Sequence, residues 1–429
     1  MVFTRKIQLA ALVFAAAVAP PEASGQEADT LRLADAVAEA RRANPMLQAA
    51  RFRADASVER VPQAGALPDP MLSLGLRNRP VDDFGTDPMM TMNWVGLSQR
   101  LPWPGKLGFS EKRADHLARA SELDADEMEA ALVARVKSVY FQLAFMDRAL
   151  SVMDATRDLL RDFHQVTLAR YSVGTGLQQD ILQAEIAIAR MTADMTVVQQ
   201  NRSAMAARLN SLLGRFAAVP VGALELARPD KPLPDVDSLL SVAAAKRPAI
   251  GAARERSLAA AAGYRAAKRG QYPDFTLALG YGQRPQFVDL ATIQVGISLP
   301  LWAGSKQHPR RREMRALQSM EEARELDLYN ETFARLTELR AAARRTRDLS
   351  ELYRTSIIPQ AAAAVESSLS AYRVGKVDYM TLLSNQMTVN RFEIESVRLT
   401  SEYRDSVAGI EALTGPGMEN DGSGMEIEQ

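Results

Sequence analysis

The chain has 429 residues with 52 basic and 52 acidic side chains, so it carries no basic excess of the kind that marks a nucleic-acid binder. It contains no cysteine, which excludes disulfides, thiolate metal sites, cysteine nucleophiles and a lipidated N-terminal cysteine. Its three histidines, His116, His164 and His308, are far apart in sequence, and no Ser-His-Asp set or metal-ligand cluster can be picked out, so no catalytic residue and no cofactor is expected.

The first 25 residues read as a signal peptide. Arg5 and Lys6 form a basic start, Leu9 to Ala19 is apolar but too short to span a bilayer, and Ala23-Ser24-Gly25 offers small residues at a cleavage site. The chain is therefore expected to be exported. A helix is expected over Leu33–Ala64, then strands over Met71–Asn78 and Met90–Gln99. Lys112 to Ala169 has no internal Gly or Pro. There Leu132, Val136, Val139, Leu143, Met146, Leu150 and Met153 step by four and three, as in a coiled-coil seam. After a break at Tyr171–Gly176 the chain returns antiparallel over Leu177–Leu213. A Pro-rich stretch, residues 228–235, links to a second set: helix Val236–Gly270, strands Phe275–Gly282 and Ala291–Leu299, and helices Lys306–Ser370 and Asp378–Leu413. Pro359 should kink the outgoing helix. Residues 416–429 read as a disordered tail.

The second set repeats the first. Leu67–Pro80, LPDPMLSLGLRNRP, matches Tyr272–Pro285, YPDFTLALGYGQRP, about 205 residues later. Val95-Gly96-Leu97-Ser98 matches Val295-Gly296-Ile297-Ser298, and Arg170-Tyr-Ser-Val-Gly174 matches Ala371-Tyr-Arg-Val-Gly375. Order and spacing both recur, so the duplication spans residues 26–227 and 236–415. A period this long is two tandem halves, not a solenoid.

Each strand alternates. Phe275, Leu277, Leu279 and Tyr281 fall on one face, with Thr276, Ala278, Gly280 and Gly282 on the other. The pattern is that of a wall with lipid outside and water inside. Met92 and Trp94 depart from it by falling on the watery face. A soluble sheet with one buried face would alternate too. Trp103, Tyr272 and Trp302, however, would all sit at one rim, as an interfacial belt requires. The chain has no apolar run of 18 residues, so it can cross a membrane only as a closed barrel. Four strands cannot close one, so other copies of the chain must complete it. The resulting fold class is mainly α, with long antiparallel helix hairpins and a membrane β-barrel.

The duplication, the opening Leu33-Ala-Asp-Ala-Val37 followed by Ala43-Asn-Pro45, the two Tyr-x-Val-Gly elements and Pro359 together resemble the outer membrane factor family, the TolC-like exit ducts of Gram-negative bacteria. The resemblance covers nearly all of the mature chain. It implies a homotrimer with a 12-stranded β-barrel, four strands per protomer, in outer-membrane lipid above a periplasmic α-helical tunnel. It implies that Tyr171–Leu177 and Tyr372–Val377 are periplasmic tips, which gate the duct and meet a periplasmic adaptor protein. The tip set is Tyr171, Val173, Gly174, Gly176, Asp180, Tyr372, Val374, Gly375, Lys376 and Asp378. An inner-membrane pump of the resistance-nodulation-division type would supply energy, since the chain has no phosphate-binding loop. The glycines fit tight turns. Threefold symmetry would make Asp180 a ring of three carboxylates, although an early-helix acid favoured by the dipole is the blander reading. Where some relatives carry aspartates, this chain has Thr381 and Ser384.

The phrases at residues 71–76 and 95–106 look like the heavy-metal-efflux branch, with drugs and other small toxic compounds as the rival cargo. Met89, Met90 and Met92 are candidate soft contacts for Cu(I), against the reading that methionine packs with anything. The rival of another class is a periplasmic coiled-coil scaffold or adaptor without a barrel.

Overall fold

The computed structural model describes residues 31–81, 85–86, 89–224, 226 and 233–415. The expected signal peptide and tail, most of the linker and part of the first hairpin tip lie outside the described residues.

Two X-Pro steps divide the opening helices that the sequence pattern reads as continuous. The first half opens with α1 (Leu33–Ala43), α2 (Pro45–Val58) and α3 (Arg60–Gly65). Asn44 precedes Pro45, sits in extended backbone and caps α2 by accepting from the amides of Met46 and Leu47 at 2.9 and 3.1 Å. The second half opens with α6 (Val236–Lys246) and α7 (Pro248–Arg269), parted at Arg247 for the same reason.

Between these lie the strands β1 (Met71–Arg77) and β2 (Met92–Leu101), and after α7 come β3 (Asp274–Gln283) and β4 (Leu290–Ser298). The two hairpins join through β2 and β3 into one antiparallel sheet of order β1-β2-β3-β4. The register stacks like on like. Leu72, Leu97, Leu279 and Ile293 form one cross-strand row, and Leu74, Val95, Tyr281 and Ala291 the next. Ser73, Gly96, Gly280 and Thr292 form a row on the opposite face. One face is thus apolar and exposed, the other small and polar. Among the described residues, no helix packs broadly across either face, and β1 and β4 end the sheet with unpaired edges.

Below the sheet, α4 (Lys106–Ser172) runs 67 residues, about 100 Å at 1.5 Å per residue. It begins six residues before the expected start at Lys112, because Gly105 (φ 89°) turns the chain from strand into helix. α5 (Gln178–Leu213) returns beside it. The matching second hairpin is α8 (Gln307–Leu352), a π-helical turn at Tyr353–Ile357, α9 (Ile358–Arg373) and α10 (Tyr379–Thr414). The π turn answers Pro359, which has no N–H to donate and so displaces the hydrogen-bond ladder of the preceding turn.

The helices share their cores. Leu132, Val136, Val139 and Leu143, the upper part of the predicted seam, are buried against α1, α5 and Ala408 of α10. Leu150 and Met153 continue into a second cluster nearer the hairpin turns, built from Leu160, Phe163, Met191, Tyr372, Tyr379 and Leu382. Among the described residues, no helix is long and apolar enough to cross a membrane.

Candidate functional site: the paired helix turns

The α4–α5 and α9–α10 turns lie together, and their backbones are near copies. Gly174 and Gly375 take φ of 76° and 73°, the left-handed conformation that a side chain resists. In each turn the glycine amide donates to the tyrosine carbonyl three residues back, at 2.9 and 3.0 Å. The next amide, of Thr175 or Lys376, donates five residues back to Arg170 or Ala371, at 2.9 Å in both. The two bonds close a Schellman-type cap that satisfies carbonyls left free at a helix end. Gly176 also needs to be small, since a Cβ there would lie 2.8 Å from the Tyr171 amide nitrogen.

The side chains of the two turns differ. Tyr171 is 48% exposed, whereas its counterpart Tyr372 is 2% exposed. The Arg170 guanidinium reaches across from the first turn, lies 4.5 Å over the Tyr372 ring and donates to the Tyr372 carbonyl. It also donates to the Thr175 carbonyl at 3.1 Å, which fixes its direction. The Tyr372 hydroxyl donates to Asp180 Oδ2 at 3.0 Å, so Asp180, one turn into α5, holds the second hairpin from the other side. Tyr379 completes the cluster, edge-on to Tyr372 at 5.8 Å.

Burial, then the hydrogen bond and charge of Asp180, push the Tyr372 hydroxyl well above the usual phenol range. Burial, then the Asp180 charge, push Tyr379 up to about 12. Tyr372 therefore keeps its donated proton at neutral pH. Asp378 caps α10 by accepting from the Thr381 amide at 2.8 Å and from its hydroxyl, and these bonds hold its carboxyl below the usual range. Lys376 is exposed. Val173, Leu177 and Val374 are exposed beside the turns, an apolar rim at the very end of the helices.

The structure thus brings Asp180 and Tyr372 into one cluster with Arg170 and Tyr379, while Tyr171, Val173, Val374 and Lys376 face out. Sequence reasoning missed Arg170 and Tyr379. Arg170 was signalled by the repeat itself, where Ala371 stands at the matching position.

At the other end of the molecule, Trp103 stacks on Tyr272 at 5.0 Å and near Phe275 at 5.8 Å. Trp302, 72% exposed, stands at the same rim past β4. Lys106 ties this rim together by donating to Asp274 at 2.6 Å and to the Tyr272 carbonyl at 3.0 Å. Met89 and Met90 are exposed at the opposite rim, but Met92 is buried, its sulfur packed over Gly282. Among the described residues, no cluster of histidine and carboxylate side chains could hold a metal ion.

The fold is similar to solved outer-membrane channels. The chain superposes on OprN with a TM-score of 0.78 at 18% identity, covering 90% of each chain. For CusC the TM-score is 0.79 at 15% identity, covering 91% of this chain and 94% of that one. For VceC of Vibrio cholerae it is 0.78 at 19% identity, covering 90% and 96%. Comparison with curated protein sequences returned no match. The family model for outer membrane efflux proteins matches residues 36–215 and 239–416, both repeats almost in full. The chain therefore belongs to the outer membrane efflux protein family, whose members are channels and not enzymes.

Proposed function

We propose that the chain is one protomer of a trimeric exit duct that passes small solutes out through the outer membrane. The observation that carries this reading is the sheet: greasy on one face, polar on the other and, among the described residues, packed broadly by no helix and open at both edges. Unpaired edges in hydrocarbon cost several kcal/mol per backbone group, so β4 of one copy pairs with β1 of the next until 12 strands close. The Trp103–Tyr272 stack and Trp302 lie at the periplasmic membrane surface, where amphipathic rings are favoured.

The helix hairpins then cross the periplasm, and the paired turns form their inner end. The Arg170–Tyr372–Asp180 cluster holds the two hairpins of a protomer together and keeps the end narrow. In this role Asp180 is a latch acceptor rather than a bare carboxylate facing the passage. The exposed Val173, Leu177 and Val374 offer a periplasmic adaptor an apolar rim to grip. Adaptor contact opens the latch, and an inner-membrane pump of the resistance-nodulation-division type drives transport. Heavy-metal cations are the cargo that the strand phrases suggest. A duct that conducts needs only weak passing contacts, and Met92 does not join Met89 and Met90 in one exposed set.

The test is conductance of the detergent-extracted protein in planar bilayers. It should run as a heat-modifiable trimer, conduct poorly as the parent, and conduct strongly as Arg170→Ser with Tyr372→Phe. A water-soluble monomer, or an equally silent double variant that still forms trimers, would overturn the proposal.

A further inference from the structure

The polar face of the sheet carries a built feature that neither the fold nor the latch uses. Trp94 lies flat on it. A Cβ on Gly280 would fall 1.9 Å from the indole, and one on Gly96 would fall 2.8 Å from its nitrogen, so glycines at both positions make the bed on which the ring rests. The Arg77 guanidinium, from β1, sits 3.6 Å above the ring centroid. A cation stacked so closely is held by the ring quadrupole and loses mobility without losing charge. Among the described residues, Arg77 makes no ion pair, and Asp274 is the one carboxylate on a strand of that face.

Among the described residues, Arg79, Arg284 and Asp289 stand at the hairpin tips, where Asp289 accepts from the Arg284 amide and the Tyr281 hydroxyl, and the remaining charges near the sheet gather at the rim that bears Trp103. There Arg100, Lys106 and Arg269 stand with Asp69 and Asp274, and Lys106 pairs with Asp274 at 2.6 Å. Arg100 is six residues along β2 from Trp94, about 20 Å at 3.3 Å per residue. That rim is therefore well beyond the screening length of about 8 Å at physiological salt, and it does not neutralise Arg77.

We propose that Arg77, fixed on Trp94, sets the charge preference of the exit passage. This rests on the trimeric duct reading, in which three copies place three guanidinium groups around one lumen. A ring of arginines inside low-dielectric walls raises the local concentration of anions and repels cations. The barrel then favours small anionic solutes, those bearing carboxylate, phosphate or sulfonate groups, and disfavours bare divalent cations. A metal ion would pass more readily as an anionic complex.

The experiment measures reversal potential in a KCl gradient across a bilayer holding the trimer with Arg170→Ser, Asp180→Asn and Tyr372→Phe, which opens the latch while removing one cation and one carboxylate per protomer from the tip. This latch-free channel should prefer chloride. Adding Arg77→Gln should lower the chloride-to-potassium permeability ratio by about twofold or more, as expected for removing a fixed charge within one screening length of the permeant ion. Arg77→Lys should retain the preference. Potassium preference in the latch-free channel, or a ratio unmoved by Arg77→Gln in conducting trimers, would overturn the proposal. The first of these needs no Arg77 variant to assemble. Absence of current from every variant would instead sink the duct reading beneath it.

Discussion

The two halves of this chain share a backbone and divide the chemistry. The turn at Gly174 and the turn at Gly375 have the same conformation and the same hydrogen bonds. Yet the first half supplies the arginine and the aspartate, and the second supplies the buried tyrosine they hold. The strands divide in the same way. Trp94 of the first half matches Gln294 of the second, and Arg77 matches Gly282. A duplicated hairpin brings two equivalent surfaces face to face.

The largest expected effect separates two matching glycines. Gly280→Val drives a side chain into Trp94, where a Cβ alone would meet the ring at 1.9 Å. A Cβ at Gly75, the matching site of the first half, meets nothing within 4 Å, so Gly75→Val starts from open space. Overpacking costs about 1–3 kcal/mol per site, and a trimer takes three such sites. The temperature at which the trimer band disappears from a gel should fall sharply for Gly280→Val and hold for Gly75→Val. Trp94→Ala should restore the first variant. Equal losses at the two glycines would mean that the halves are not divided as described.

Matching tyrosines come next. Tyr372→Phe removes the donor to Asp180 and should weaken each latch by about 1.5 kcal/mol, the low end for a hydrogen bond to a charged group because Asp180 is only half-buried. The channel should open more often, by about tenfold per latch at 1.4 kcal/mol per factor of ten. Tyr171→Phe should change nothing, since among the described residues the Tyr171 hydroxyl makes no hydrogen bond. Opening by both variants alike would break the comparison.

Much of this was legible in the sequence because it is periodic. Alternation located all four strands to within two residues, since each has one face that must be apolar. The stepped leucines and valines located the α4 seam. The turn glycines announced themselves by repeating. What stayed hidden was contact across the repeat. Pairing of β2 with β3 depends on where two distant hairpins come to rest, and so does the reach of Arg170 to Tyr372. The breaks at Asn44 and Arg247 were available from the residue-before-proline rule and were overlooked, because the apolar pattern runs on through both. Trp94 looked like an exception to the face pattern until its glycine bed explained how a large ring fits a face of small residues.

The turn glycines sharpen the comparison from the opposite side, because here the halves should agree. Gly174→Ala and Gly375→Ala each force a side chain into left-handed backbone, at about 1–2 kcal/mol. No heavy atom lies within 4 Å of a Cβ at Gly174, and only Arg170 Nη2, at 3.5 Å, lies near one at Gly375. Both variants should loosen their turns equally in hydrogen exchange while trimers stay intact, and export should fall for bulkier residues at either site. A large difference between them would show that the turns are not equivalent even in backbone.

The smallest effect lies three residues past the shared Val-Gly of each turn. Asp378 caps α10, but the matching Leu177 offers α5 no side-chain cap. The carboxyl of Asp378 titrates below its ordinary value of 3.8, so the folded state favours its ionised form. The stabilisation it provides is complete above that ordinary value and is lost as pH falls through the lowered one. The Thr381 amide should therefore lose protection, measured against its intrinsic exchange rate, in acid below about pH 3.8, while the Asp180 amide, at the matching position of α5, shows no such step from a cap. Leu177→Asp should create the step in the first half, because its turn presents the same backbone to the new side chain. If the substituted turn gains no acid-sensitive protection, the equivalence of the two backbones stops at the glycines, and the second hairpin owes its firmer start to more than one carboxylate.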